Sequence, residues 1–138
     1  MSGEAVATEA RVLVEADLDI VSARQQGRVM ATQLGFSPGT ATLIATAISE
    51  LARNILLYAS RGEVTITTIE NNGSKGITVE ARDDGPGIPH PQRALEDGYS
   101  TSGRLGLGLP GVKRLMDEFR LETAPGRGTR ILVHKWVR

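Results

Sequence analysis

An acid followed by two closely spaced glycines, Asp83-Asp84-Gly85-Pro86-Gly87-Ile88-Pro89, has the parts needed to hold a purine and its phosphates. Read as Asp-x-Gly-x-Gly, the segment makes Asp83 the recognition group, because a carboxylate at a pocket mouth accepts a hydrogen bond from an exocyclic amine such as that of adenine. Gly85 and Gly87 lack Cβ atoms and let the backbone turn sharply and approach a ligand. The same residues would also serve as a plain polar turn after a strand. A second glycine run, from Gly103 through Gly106 and Gly108 to Gly111, leads into an apolar-periodic segment from Leu109 to Phe119. Such a run presents free N–H groups and the positive end of a helix dipole to an anion, and phosphate is the natural candidate. Its alternative is a flexible loop. Neither common nucleotide fingerprint is present: no strand precedes Gly106-x-Gly108-x-x-Gly111, as a Rossmann turn requires, and Gly-Lys-Ser/Thr is missing.

Two further candidates depend on a helix to bring them together. Ser37 as N-cap and Pro38 at the first helical position start a helix that runs to about Tyr58. Ile44, Ile48, Leu51 and Ile55 form its buried stripe. At about 100° per residue, Glu50 and Asn54 stack one turn apart at the edge of that stripe, while Arg53 points away into solvent. An acid and an amide in that position suit a proton acceptor and a Mg²⁺ ligand, since Mg²⁺ takes oxygen ligands and is often completed by ATP phosphates. In isolation such a pair is usually no more than two surface residues.

The remaining elements follow from periodicity and turn chemistry. Residues 1–9 are polar and expected to be disordered, ahead of a single domain over 10–138. A strand near Arg11 to Glu15 precedes a helix capped by Asp17, whose inner face is Ile20, Ala23, Gly27, Met30 and Leu34. Glu63 to Ile69 and Ile77 to Asp83 alternate as strands around Asn71-Asn-Gly-Ser-Lys-Gly76 and read as a hairpin. Residues 90–105, with one proline, two glycines and Ser-Thr-Ser, have no period and are expected to be mobile. A helix near 108–118 and strands at Arg120 to Thr123 and Thr129 to Val137, joined by Pro125-Gly-Arg-Gly128, complete the chain. The expected fold is α+β, a two-layer α/β sandwich with a mixed, mostly antiparallel sheet and helices on one face.

Composition narrows the function classes. The 138 residues carry no net charge, with acids and bases interspersed, so nothing suggests nucleic acid or an anionic membrane as partner. One Trp, two Tyr and two Phe are too few and too scattered for a base-stacking platform. Without cysteine there are no disulfides, thiolate metal sites or cysteine nucleophiles. Met1 to Ala10 contains two glutamates and no basic residue, unlike a signal peptide, and no apolar run is long enough to span a bilayer. The expected compartment is the cytoplasm.

In order and spacing, Glu50-x-x-x-Asn54, Asp83-x-Gly-x-Gly, Gly106-x-Gly108 and Gly126-Arg-Gly-Thr129 resemble the GHKL ATPase/kinase superfamily, whose domain is the Bergerat ATP-binding fold. Ala47-Ile-Ser-Glu-Leu-Ala-Arg-Asn-Ile55, Asp97-Gly-Tyr-Ser-Thr-Ser-Gly103 and Leu109-Pro-Gly-Val-Lys-Arg-Leu-Met-Asp-Glu-Phe119 carry a closer resemblance, to the RsbT-type switch serine/threonine kinases of the bacterial stressosome. The resemblance implies that Asp83 binds the adenine amine, Asn54 ligates Mg²⁺, Glu50 acts as general base and Thr129 supports the adenine side. It implies an ATP lid over about 90–108, with Gly106 and Gly108 beside the phosphates. Arg104 stands where some relatives place an arginine near the γ-phosphate. A solvated loop arginine is its other reading.

The two histidines suit phosphoacceptors badly. His90 is flanked by prolines, and His134 lies within the last strand, where pairing or facing the sheet is the expected role. The acceptor is therefore expected to be a hydroxyl on another protein, with ATP as donor. The resemblance implies STAS-domain stressosome partners, RsbS-like and RsbR-like, and a PP2C-type phosphatase, RsbU-like, activated by contact. Two rivals stand beside this reading: an anti-sigma factor of the same superfamily that holds a sigma factor inactive, and a non-catalytic nucleotide-gated binding module.

Overall fold

Period-two alternation of apolar and polar residues builds the strands, and two long apolar stripes at helical spacing cover one face of the sheet they form. The computed structural model describes residues 5–96 and 108–138, with side chains from residue 8 onward in the first segment. In chain order the elements are β1 (Ala5–Val14), α1 (Asp17–Leu34), α2 (Pro38–Ala59), β2 (Gly62–Asn71), β3 (Ser74–Asp83), α3 (Pro91–Ala94), α4 (Gly108–Leu115), β4 (Glu118–Thr123) and β5 (Thr129–Trp136). The five described strands form one sheet in the order β1-β2-β3-β5-β4. All four pairings are antiparallel, in a sheet expected to be mixed and mostly so.

Several boundaries differ from those read in the sequence. The first strand begins at Ala5 rather than near Arg11, because its ladder with β2 continues past an irregularity between Val6 and Thr8. There Thr8 N and Oγ1 both meet Thr68 Oγ1. The N-cap of the first helix is Ala16 rather than Asp17, which is already helical, and Asp19 at the third helical position reaches back to accept from the amides of Glu15 at 2.8 Å and Ala16 at 3.0 Å. The β2–β3 connection is tighter than the six residues allowed for it. Asn72 and Gly73 both take positive φ, 53° and 87°, and form a two-residue turn matching the right-handed twist of the strands.

The core lies between α1, α2 and the inner face of the sheet. Ile44, Ile48, Leu51 and Ile55, the stripe read from the sequence, are sealed against Val64, Ile66, Val79 and Ile131. Gly27 in α1 lets Ile48 approach, since a Cβ there would collide with the Ile48 side-chain end. Ser37 caps α2 as expected, accepting from the Thr40 amide at 3.2 Å. The helix whose end was placed at 118 stops at Leu115, and its last turn is tied to β5 by Lys135 Nζ donating to the Leu115 carbonyl at 2.7 Å. No described helix is long and apolar enough to cross a membrane.

Candidate active site

Asp83 ends β3 at the centre of the sheet, opposite Thr129 at the start of β5, so two residues 46 apart in sequence are fixed by strand register. Both are buried, at 6% and 4% exposure. Asp83 Oδ1 accepts from the Gly85 amide at 2.9 Å. Burial pushes the Asp83 carboxyl above the ordinary carboxylate range; the amides of Gly85 and Thr129 hold it partway down, and nearby Asp84 adds to the rise. A carboxyl buried at such a place, held by backbone donors and with no cationic partner among the described residues, is a costly arrangement that suits a specific ligand donor.

The two glycines after Asp83 are there for close approach. A Cβ at Gly85 would stand 2.5 Å from Ala59 Cβ, against the end of α2. Gly87, at φ 87°, would meet the Ala124 carbonyl oxygen at 2.6 Å. The segment therefore runs between the end of α2 and the β4–β5 turn. It is fastened by Gly126 N donating to the Pro86 carbonyl at 2.9 Å and Ile88 N donating to Thr123 Oγ1 at 3.0 Å.

Thr123 is the residue of this cluster that sequence reading missed. Its hydroxyl lies 2.9 Å from Thr129 Oγ1 and donates to the Gly128 carbonyl at 3.2 Å, joining the loop after Asp83 to the β4–β5 hairpin. The signal was present in the sequence: Thr123 and Thr129 flank the Pro125–Gly128 turn, so pairing the two strands places them opposite one another.

On α2, Glu50 and Asn54 are half-buried one turn apart, as helical arithmetic required. Glu50 Oε2 accepts from the Gly108 amide at 3.2 Å, the first residue of α4. Arg53, expected to point into solvent, instead folds back along the helix and donates through Nη1 to Glu50 Oε1 at 2.5 Å. Opposite charges three residues apart are neighbours on a helix surface, and that attraction outweighs the outward direction of the Cβ. The structure thus groups Glu50 and Gly108, with Asn54 one turn along α2, where α2 meets α4, and Asp83, Gly85, Gly87 and Thr129 where β3 ends beside β5. Arg104, Gly106 and most of the 90–108 segment read as a lid lie outside the described residues. The part of it that is described includes the short helix α3, begun by Pro91 and closed by Ala94 N donating to the His90 carbonyl at 2.9 Å.

Magnesium fits the α2 rim without an all-protein cage. No group of three His, Cys, Asp or Glu side chains able to hold a metal occurs among the described residues. Mg²⁺ commonly takes one or two protein oxygens and completes its shell with waters and substrate phosphates, so the single half-buried Asn54 amide is a sufficient protein donor. Of the histidines, His90 is exposed at the start of α3, and His134 faces the sheet with Nδ1 2.9 Å from Thr78 Oγ1, as expected of a strand residue.

A family model described as histidine kinase-, DNA gyrase B- and HSP90-like ATPase matches residues 39–137. The serine/threonine-protein kinase RsbT of Bacillus subtilis is 54% identical over 127 residues, covering 92% of this chain and 96% of that one. An anti-sigma F factor of Thermoanaerobacter sp. is 32% identical over 99 residues, 68% of each chain. A crystal structure of the RsbU and RsbW domains of a Mycobacterium tuberculosis protein superposes with a TM-score of 0.60 at 17% identity, covering 94% of this chain. This chain spans 32% of that one, and the likeness is one of fold.

Proposed function

This chain belongs to the histidine kinase-, DNA gyrase B- and HSP90-like ATPase family, in its RsbT-type serine/threonine kinase branch, and we propose that it phosphorylates STAS-domain stressosome proteins. The observation that carries the site reading is the meeting of Glu50 and the Gly108 amide, 58 residues apart in sequence, at 3.2 Å. It sets a carboxylate beside the first turn of a helix, where backbone N–H groups attract phosphate.

In the proposed reaction Asp83 accepts from the adenine amine, Thr129 supports that side, and Gly85 and Gly87 clear the approach. By the resemblance, Gly106, Gly108 and Arg104 are the residues assigned to the phosphates. Asn54 would hold Mg²⁺, which when bound neutralises phosphate charge. Glu50 takes the proton of the acceptor serine or threonine; that oxygen bonds to the γ-phosphorus as the bond to the β-phosphate oxygen breaks, and ADP leaves. The partners are RsbS-like and RsbR-like acceptors, with an RsbU-like PP2C-type phosphatase activated by contact after release. The work is done in the cytoplasm.

Incubating the chain with labelled ATP, Mg²⁺ and a STAS-domain protein tests the reading. Label should pass to a hydroxyl of the STAS protein. Capture of a sigma factor with no transfer to STAS proteins would favour the anti-sigma reading, which the anti-sigma F relatives keep in view.

A further inference from the structure

Arg53 has no task in the reaction just described, yet its conformation is not that of an idle surface residue. Its side chain is 30% exposed, and its Nε is enclosed with no hydrogen-bond partner among the described residues. Extended into water, a guanidinium satisfies all five of its N–H groups; folded back, this one gives up that hydration at Nε. Among the described residues, the 2.5 Å contact of Nη1 with Glu50 Oε1 offsets the loss. Exposed ion pairs at helical spacing usually hold their partners weakly. Here the carboxylate is 15% exposed, and it also accepts from the first residue of α4.

The two oxygens of Glu50 are held unequally. Oε1 has a short, charge-assisted bond from Arg53; Oε2 has a longer one from a neutral amide, Gly108 N, at 3.2 Å. The donor on Oε2 belongs to the stretch to which the site reading assigns the phosphates. We propose that Arg53 is the positioning residue of the general base. It pins Oε1 and so fixes the direction of Oε2, the oxygen that becomes available to the acceptor hydroxyl when nucleotide phosphates take over the Gly108 amide. This inference rests on the reading of Glu50 as base and adds to it the group that orients it.

The test uses the full chain with Mg-ATP and a STAS-domain acceptor, measuring ATP affinity by calorimetry and transfer by steady-state kinetics. Arg53→Ala should lower kcat about tenfold to a hundredfold, within the range a positioned proton acceptor contributes. ATP affinity and acceptor KM should stay within about twofold, since neither depends on the aim of Oε2. Arg53→Lys, which keeps a charge within reach, should recover part of the rate, whereas Arg53→Gln should not. In a Glu50→Gln background Arg53→Ala should change the residual rate no further, because residues acting as one unit are not additive.

Wild-type kcat in Arg53→Ala, a parallel loss of ATP affinity, or additivity in the double variant would each overturn the proposal. Should Arg53→Ala fail to fold, the contrast between Lys and Gln decides it: equal rates in those two overturn it. Glu50→Ala serves as the control on the underlying reading. If that variant transfers at the wild-type rate, Glu50 is not the base; if it is inactive while Arg53→Ala is unaffected, only the role of Arg53 falls.

Discussion

Gly128 lies directly against Asp83: a Cβ there would collide with the Asp83 carbonyl oxygen and stand 2.9 Å from Asp84 Cα. The peptide that opens β5 therefore sets where the carboxylate ends β3. Gly128→Ala, with φ at 79° as well, should destabilise the fold by roughly 2–3 kcal/mol and weaken ATP binding with it. Gly126→Ala shares the positive φ, 75°, but opens into free space and should cost only about 1 kcal/mol. Equal losses in denaturant titrations of the two variants would mean that the close approach is not the cause.

Asp83→Asn should lower ATP affinity at least tenfold, the scale of a lost hydrogen bond to a charged group, about 1.5–3 kcal/mol. It should not lower stability at neutral pH, because it removes a buried charge while keeping an oxygen for the Gly85 amide. The sign with pH follows from the direction of the shift. The folded pKa of Asp83 lies above its unfolded value, so the native state binds the extra proton between the two, and stability rises as pH falls through that window. Wild type should therefore gain on Asp83→Asn as pH drops toward about 4, while its own ATP binding weakens. Unchanged ATP affinity in the variant would remove Asp83 from the site.

Glu50→Ala should keep Mg-ATP binding and lose transfer by roughly a hundredfold or more, whereas Asn54→Ala should weaken both. Calorimetry beside a transfer assay separates the two effects. Identical defects in the two variants would contradict separate roles for base and metal ligand.

Release of the STAS partner should require the chemistry. Phosphate added to that partner places negative charge in the contact and should drive it apart. Glu50→Ala should still bind the STAS protein, stay bound when ATP is added, and still stimulate the phosphatase once free. Size exclusion with and without ATP reads this out. Equal dissolution with wild type and Glu50→Ala would mean that phosphorylation is not the release step.

Asp117 provides a stability prediction away from the site. Burial works against its charge, but the Trp136 amide at 2.9 Å, Arg138 at 2.8 Å and nearby Lys135 hold its carboxyl below the ordinary range. A depressed pKa means stability that is present above the unfolded value, about 3.9, and lost as pH falls through the folded one. Asp117→Asn should cost about 1–2 kcal/mol at neutral pH, with the difference from wild type vanishing in strong acid. A constant difference at all pH values would exclude the charge as its origin.

The fold was legible where periodicity is long and its punctuation strong. Pro38 after Ser37 and four apolar residues at helical spacing located α2 and its buried face, and with them the placement of Glu50 and Asn54. What escaped the sequence was set by neighbours distant in the chain. The start of β1 at Ala5 depends on its pairing with β2 at Glu70, and nothing local to residues 5–10 announces it. The direction of Arg53 depends on an ion pair that offsets its intrinsic outward bias, although Glu-x-x-Arg spacing carried the hint. Thr123 joined the cluster through strand register alone.

The strand order has a consequence for how the protein comes into being. β5, last in the chain, sits between β3 and β4, so the wall that carries Asp83 stays open until residues 129–136 have been made. On the ribosome, α1, α2 and the β2–β3 hairpin can assemble first, since all precede residue 84. Such a nascent chain would hold Glu50, Asn54 and Asp83 but not Thr129, the strand partner of Asp83. A product truncated before Thr129 would expose the edge of β3 that β5 otherwise pairs, leaving it open to other chains.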